Sequence, residues 1–495
     1  MADNPYIRQP ASPVALADLC GLLGVAPVPG SVTGVTLSSN QVIAGDLYAA
    51  LPGAKTHGAR YVSDAVNRGA SAILTDAVGA QIIGDAPVPV LVVEDPRGVL
   101  GQVAVTVFGD PAARLITFGV TGTNGKTTVT YMLTAALRAL GTPTAMIGTT
   151  GTWMGDTRLP TARTTPEAPD VQALMALMVD SGMRALAMEV SSHALVLGRV
   201  DGLTFDVAAF TNLTPDHLDF HGSMDDYFAA KASLFTAARA KAAVINTDDE
   251  WGRRLAADTE LPTLTYSLTG AADLTAREVS LRADGSQFIV DFRGQRVPAR
   301  IAAPGDFNVA NALAAAGMLI ASGVGLEDAV SALAAFEGVP GRMQVVAGPI
   351  PVIVDYAHTP DAVERALTAV RPLTQGRILC VLGCGGDRDA RKRPDMGRIA
   401  AQESDVLIVT DDNPRSEVPA DIRAAVLAGA RTVSGADVSE VGDRAAAIER
   451  VILGACPGDT VMILGKGHET GQEIDGVVHP FDDRLVAAAA LEKRP

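Results

Sequence analysis

At 495 residues the chain has room for about three domains of ordinary size, each large enough to bury its own core. A formal charge of −16 argues against a broad nucleic-acid or anionic-membrane surface, while leaving local phosphate binding open. Apolar residues make up 48%, much of it Ala and Val, yet no apolar run reaches the ~18 residues of a membrane span. The start, Met-Ala-Asp-Asn-Pro-Tyr, has neither the basic residues nor the apolar stretch of a signal peptide. Four cysteines (Cys20, Cys380, Cys384, Cys456) lack the spacing of a disulfide framework or a zinc set. The expectation is a reduced, soluble, cytoplasmic monomer.

Residues 1–112 read as a small α/β block. Gly58 to Leu74 has the pattern of a helix leading into a strand, and Val90-Leu-Val-Val-Glu94 follows as another strand. Asp110-Pro111 is a candidate hinge, because proline interrupts helix.

Residues 113–340 form the second block, and its first stretch organises the rest. Leu115 to Val120 is apolar and β-branched, as in a short buried strand. Gly122-Thr-Asn-Gly-Lys-Thr-Thr128 follows, and apolar residues at 129, 132, 133, 136, 137 and 140 then recur with helical spacing up to Gly141. Strand, glycine loop and helix in that order make a phosphate cradle. Backbone N–H groups and the positive end of the helix face the phosphates, Lys126 reaches the β/γ-phosphates, and the Thr127 hydroxyl can ligate Mg²⁺. The strict pattern would need glycine at position 120, where this chain has Val120, so the loop is a variant ATP site. Further strands are expected at 185–190, 205–211 and 242–246, as in a doubly wound sheet. Val279 to Phe292 alternates around Asp284-Gly285 like a hairpin, Phe307 onward returns to helix, and Gly338-Val-Pro-Gly341 is a second candidate hinge.

Residues 341–495 repeat a simpler theme: apolar strands ending in polar or glycine clusters, at 352–356, 378–383, 406–411 and 460–466. The clusters Asp355/His358, Asp387/Arg388, Asp412/Arg415 and Lys466/His468/Glu469 all follow such ends, where open α/β sheets gather ligands.

Two groups beside the cradle bear on catalysis. Glu189 ends an apolar strand and could ligate Mg²⁺, although Ser191 and Ser192 after it could equally make this a helix cap. Asp216, His217, Asp219 and His221 crowd into six residues, a density that favours a second metal or phosphate site over packing. Lys231, alone on a helical stretch, has no role that spacing can assign.

Gly122–Thr128, Glu189-Val-Ser-Ser-His193 and Asn212-x-x-x-Asp216-His217 together resemble the Mur ligases, the ATP-dependent amide-forming enzymes of peptidoglycan precursor synthesis. The resemblance runs through all three blocks. Gly341-Arg342, Asp355-Tyr-Ala-His-Thr-Pro360 and Gly385-Gly-Asp-Arg-Asp389 fall in order. Asp412-Asn-Pro-Arg415 and Gly465-Lys-Gly-His-Glu469 are similar to the MurE type, which adds meso-diaminopimelate. The resemblance implies three α/β domains: a central P-loop-type sheet, a small N-terminal domain and a Rossmann-like C-terminal domain. It implies ATP and Mg²⁺ as cofactors, with a UDP-N-acetylmuramoyl dipeptide and meso-diaminopimelate as substrates.

By the same resemblance, Gly122, Thr123, Asn124, Gly125, Lys126, Thr127, Thr128, Asn308, Asn311, Arg342 and Asp355 would bind ATP. Leu37, Ser39, Ala54, Lys55 and Thr56 would hold the UDP end of the other substrate, and Thr164, Thr165, Ser191, Arg199 and Lys231 its acyl-peptide end. Arg388, Asp412, Asn413, Pro414, Arg415, Gly465 and Glu469 would take diaminopimelate. Thr127, Glu189, His217 and a carbamylated Lys231 would serve the metal, and His358 is a candidate base for the amine. Two positions depart from the family pattern: Asn40 replaces an arginine of the UDP site and Leu197 replaces a glutamine near Arg199. A folylpolyglutamate synthase, a lysine-adding relative, or a nucleotide-gated binding module without ligase chemistry are the competing readings.

Overall fold

The computed structural model describes residues 9–53, 55–159, 161, 163–282 and 285–494. Its three large sheets each draw their strands from one block of the sequence. Gly34–Thr36, Asp46–Ala49, Ala72–Thr75 and Val90–Val92 make a four-stranded parallel sheet. Helices Leu16–Leu23 and Leu100–Phe108 bury Leu19, Val103 and Val107 against it, and Ala173 of a central-block helix joins the same core.

The central sheet has eleven strands. Its parallel core runs in the order Thr144–Gly148, Ala185–Glu189, Ile116–Thr121, Phe205–Phe210, Ala240–Asn246, Thr263–Ser267. Leu274–Arg282 joins Thr263–Ser267 in parallel, and antiparallel strands extend both edges beyond, among them Gly285–Phe292 beside Leu274–Arg282. From Ile116–Thr121 the chain moves first to one side of the sheet and later to the other. The carboxyl end of this strand is therefore a topological switch point, where open sheets leave a crevice. Helix Lys126–Ala139 starts in that crevice. Val129, Met132, Leu133, Ala136 and Leu137 lie on its buried face, against Val309, Leu313 and Ala316 of helix Asp306–Ala321.

The last sheet orders its strands Gln344–Val346, Val352–Asp355, Thr460–Leu464, Ile378–Cys384, Val406–Asp411 and Asp437–Glu440, parallel except for the first pair. Helices cover both faces, with separate cores around Leu382 and Val381. Its central strands are fully buried, which accounts for their unbroken apolar runs. At Gly341, φ is +67° and the backbone of Gly467 and His468 lies directly against the α-carbon, so no side chain fits there.

Candidate active site

The carboxyl ends of the central and C-terminal sheets face a common cleft of ≈ 1560 Å³. The glycine loop forms one wall. Gly125 takes φ +91° immediately before the helix, and Asn311 from the neighbouring helix packs against its α-carbon. A side chain at 125 would meet both obstacles. The Asn124 backbone N–H donates to Asn212 Oδ1 at 2.9 Å, and the Thr123 hydroxyl lies 3.3 Å from Tyr227 Oη. The motif at 211–217 thus buttresses the loop.

Two lysines meet beneath this loop. Lys126 Nζ donates to the Gly122 and Thr123 carbonyls at 2.9 Å each. Lys231 Nζ donates to the same Gly122 carbonyl at 2.8 Å, and lies 4.5 Å from the centre of the Tyr227 ring. Lys231 is 1% exposed. Burial, and then the neighbouring Lys126 charge, push its pKa well below the ordinary lysine value. Burial also lowers that of Lys126, with Glu189 and Asp216 acting in the opposite sense. Lys231 is below the loop and is not among the residues lining the cleft.

Thr127, Thr128, Glu189 and His217 do line it. Both Glu189 oxygens are held by Thr149, at 2.8 Å from its N–H and 3.0 Å from its hydroxyl. Thr165 bridges the next residues: its hydroxyl donates to the Glu189 carbonyl at 2.8 Å and accepts from the Ser191 N–H at 3.2 Å. Thr164, Thr165, Ser191 and Arg199 share this wall. Beside them Glu167 draws in three guanidinium groups, Arg199 at 2.9 Å, Arg163 at 3.2 Å and, from the first block, Arg97 at 3.3 Å.

The crowded 216–221 segment divides between the cleft and a cluster of packed rings. Asp216, His217 and Asp219 face the cleft. His221 instead packs 4.8 Å from Tyr227, with Nε2 2.9 Å from the Ser192 hydroxyl. His193 stacks on Phe220 at 4.1 Å and meets His217 edge-on at 4.8 Å. Burial lowers the pKa of His217 and of His221 to about 4, so both rings are neutral at pH 7. Among the described residues no three His, Cys, Asp or Glu side chains converge as a metal cluster. The density of this segment includes ring packing among His193, His217, Phe220, His221 and Tyr227.

The opposite wall comes from the last block. Asp355 accepts the Met343 N–H at 2.7 Å, and burial raises its pKa. The Arg342 guanidinium lies 4.4 Å from the Tyr356 ring centre, with its Nε unpartnered. His358 Nδ1 is 2.8 Å from the Tyr356 carbonyl, so this nitrogen carries the proton and Nε2 is left as an acceptor. Burial, then the Lys392 charge, lower its pKa to about 4. Two contacts that no motif announced join the walls: Asn124 Nδ2 donates to Asp361 Oδ2 at 2.9 Å, and Lys392 lies 3.8 Å from Asp216.

Deeper in the last block lie Arg388, Asp412, Asn413, Arg415, Gly465 and Glu469. Pro414 is buried beside them and does not line the cleft. Arg415, at φ +53°, donates Nη1 to the Gly386 carbonyl at 2.7 Å and has Nε 3.3 Å from Glu473. With five N–H donors the guanidinium has others to spare for a ligand.

The first-block set is elsewhere. Leu37 packs at the edge of the N-terminal core, Ser39 opens a short 3₁₀ turn, and Lys55 and Thr56 are exposed. None of the four lines the cleft. Ala54 lies outside the described residues.

Family models match the chain in order: the Mur ligase family catalytic domain over residues 31–107, the Mur ligase middle domain over 120–319, and the Mur ligase glutamate ligase domain over 341–467. The chain is 50% identical to the UDP-N-acetylmuramoyl-L-alanyl-D-glutamate–2,6-diaminopimelate ligase of Streptomyces coelicolor, over 98% of both chains. A solved structure of a ligase of that name superposes with a TM-score of 0.69 at 31% identity, covering 97% of this chain and 99% of the other. A Mycobacterium tuberculosis folylpolyglutamate synthase complexed with ADP and AMPPCP shares the fold, with a TM-score of 0.61 at 16% identity over 80% and 94% of the two chains. With three models in sequence order and 50% identity to a relative over 98% of both chains, the chain belongs to the Mur ligase family.

Proposed function

We propose that the chain is an ATP-dependent acid–amino-acid ligase. It joins an amine of meso-diaminopimelate to the γ-carboxylate of UDP-N-acetylmuramoyl-L-alanyl-D-glutamate, in peptidoglycan precursor synthesis. The observation that carries this reading is the single cleft in which the phosphate loop faces the Asp412–Arg415 loop. One end suits a nucleoside triphosphate and the other a small zwitterion. A carboxylate is a poor electrophile, so ATP must first convert it to an acyl phosphate, from which the amine displaces phosphate. Lys126 and the loop N–H groups stabilise charge on the transferring phosphoryl group. Asn308 and Asn311 place the nucleotide, with Asn311 against the phosphate loop, and Arg342 and Asp355 complete its site from the other wall.

Mg²⁺ fits the donors present. A hard cation that keeps several waters needs one or two carboxylates beside the phosphates. Glu189, with Thr127 at the helix start and His217 nearby, supplies such a set. When bound, Mg²⁺ would neutralise phosphate charge during transfer. The two lysines on one carbonyl support carbamylation of Lys231. Reaction with CO₂ requires a neutral amine, which burial favours, and it turns a repelling cation pair into an attracting one.

His358 would accept a proton from the attacking amine at Nε2. Arg199, Thr164, Thr165 and Ser191 would hold the acyl-peptide, and Leu37, Ser39, Ala54, Lys55 and Thr56 its UDP end. Arg388, Asn413 and Arg415 would meet the distal carboxylate of diaminopimelate, and Asp412 and Glu469 its ammonium. The Asn124–Asp361 and Asp216–Lys392 contacts suit closure of the third block over the acyl phosphate, excluding water. The protein would act as a cytoplasmic monomer. Phosphate release should require the UDP-dipeptide, ATP and amino acid together; release that persists without the amino acid would contradict the ligase reading.

A further inference from the structure

Lys466 lies two residues beyond the strand Thr460–Leu464 and has no exposed surface. A buried ammonium needs oxygen partners. It has two, Asn413 Oδ1 at 3.0 Å and Glu469 Oε2 at 3.1 Å. Asn413 closes the triangle by donating Nδ2 to the same Glu469 oxygen at 2.7 Å, while its Oδ1 also accepts the Glu473 N–H at 2.9 Å.

The polarity of this triangle has consequences at the cleft surface. An ammonium only donates, so it fixes the Asn413 carbonyl oxygen toward itself. The amide nitrogen then has one N–H on Glu469 and one left over. Glu469 Oε2 already takes two donors, which leaves Oε1. Both side chains line the cleft beside Arg415. The buried cation, together with the Glu473 N–H, therefore sets Asn413 as a donor and Glu469 as an acceptor.

We propose that Lys466 is a positioning residue for the incoming amino acid: by fixing those two polarities it enforces preference for a far end that carries a carboxylate as well as an ammonium. This rests on the reading of Asp412–Arg415 and Glu469 as the amino-acid site. Without the ammonium, only the Glu473 N–H and Glu469 hold the Asn413 amide in this sense, and it turns its oxygen toward the carboxylate more readily. A carboxylate-bearing amino acid then loses a donor and meets an acceptor, whereas lysine has nothing there to lose.

Lys466→Met keeps an unbranched apolar chain and removes the donor. The readouts are kcat/KM for meso-diaminopimelate and for L-lysine, KM for ATP, and the thermal midpoint. The expected result is a loss of between about ten- and a hundredfold for diaminopimelate, the range of a lost charge-assisted hydrogen bond. Lysine use and KM for ATP should stay within about threefold of wild type. Equal losses for both amino acids would make Lys466 a purely structural plug and overturn the proposal, as would an unchanged diaminopimelate value. Should Lys466→Met fail to fold, Lys466→Leu also removes the donor with an apolar side chain and gives the same comparison. Glu469→Gln separates the layers. If it leaves KM for diaminopimelate unchanged, the amino-acid site itself is misassigned. If it raises that KM while the Lys466 variants do not, only the positioning role falls.

Discussion

Replacing Lys231 with alanine separates a structural from a catalytic role for this residue. The stability cost is modest on the geometry. Three methylenes leave a buried site, at about 0.8 kcal/mol each. The Gly122 carbonyl keeps the hydrogen bond from Lys126 at 2.9 Å, so no buried acceptor is orphaned. A loss of about 2–3 kcal/mol leaves a protein of ordinary stability, about 5–15 kcal/mol, folded. The catalytic cost is of another kind. If the carbamate of Lys231 supplies an anion at the phosphoryl-transfer site, its loss should lower kcat by about 10²–10³, as when one fixed electrostatic partner is deleted from an active site. Short carboxylic acids, acetate or propionate, should restore part of that rate by occupying the vacated space. The assay is steady-state phosphate release at saturating substrates, with and without added acid, on protein whose thermal midpoint has been checked. Full activity in Lys231→Ala would refute the reasoning and leave Lys231 as a prop beneath the loop.

Lys126→Ala should lower turnover by orders of magnitude with little change in thermal midpoint, since its ammonium bonds only loop carbonyls; near-normal turnover would remove the loop from the centre of the account. Arg415→Ala should lower kcat/KM for meso-diaminopimelate by a factor on the order of 10³ while barely altering lysine use, because a site built for a carboxylate penalises its loss. Equal losses would show that the guanidinium does not discriminate. Stability should fall as pH drops from about 6.5 toward 4. His221, His358 and His468 each have folded pKa values lowered to about 4 from 6.5, so the unfolded chain binds protons first in that window. A thermal midpoint flat between pH 6.5 and 4.5 would contradict the burial of these rings.

Local pattern carried much of the architecture. The unbroken apolar runs at 378–383 and 460–464 are strands buried on both faces, and the loop at 122–128 needed only its glycines and the helix after it to be read. What pattern could not carry was the meeting of distant segments. Lys231 sits under Gly122 across 109 residues, Asn124 reaches Asp361 across 237, and no periodicity encodes either. The histidines at 217 and 221 show another limit of pattern: four residues apart, both rings pack around His193 and Tyr227, and only His217 also lines the cleft. The edge strand Asp437–Glu440 and the hairpin of Gly471–Ile474 with Val477–Pro480 are short and partly polar, and their pattern gave no strand signal.

The central claim is tested most directly by the mass of the product formed from UDP-N-acetylmuramoyl-L-alanyl-D-glutamate, ATP and an equimolar mixture of amino acids including meso-diaminopimelate and L-lysine. The account predicts one dominant product, the UDP-dipeptide plus diaminopimelate less one water, formed in step with ADP and phosphate. A lysine adduct in excess, or ATP consumed with no new amide, would contradict it.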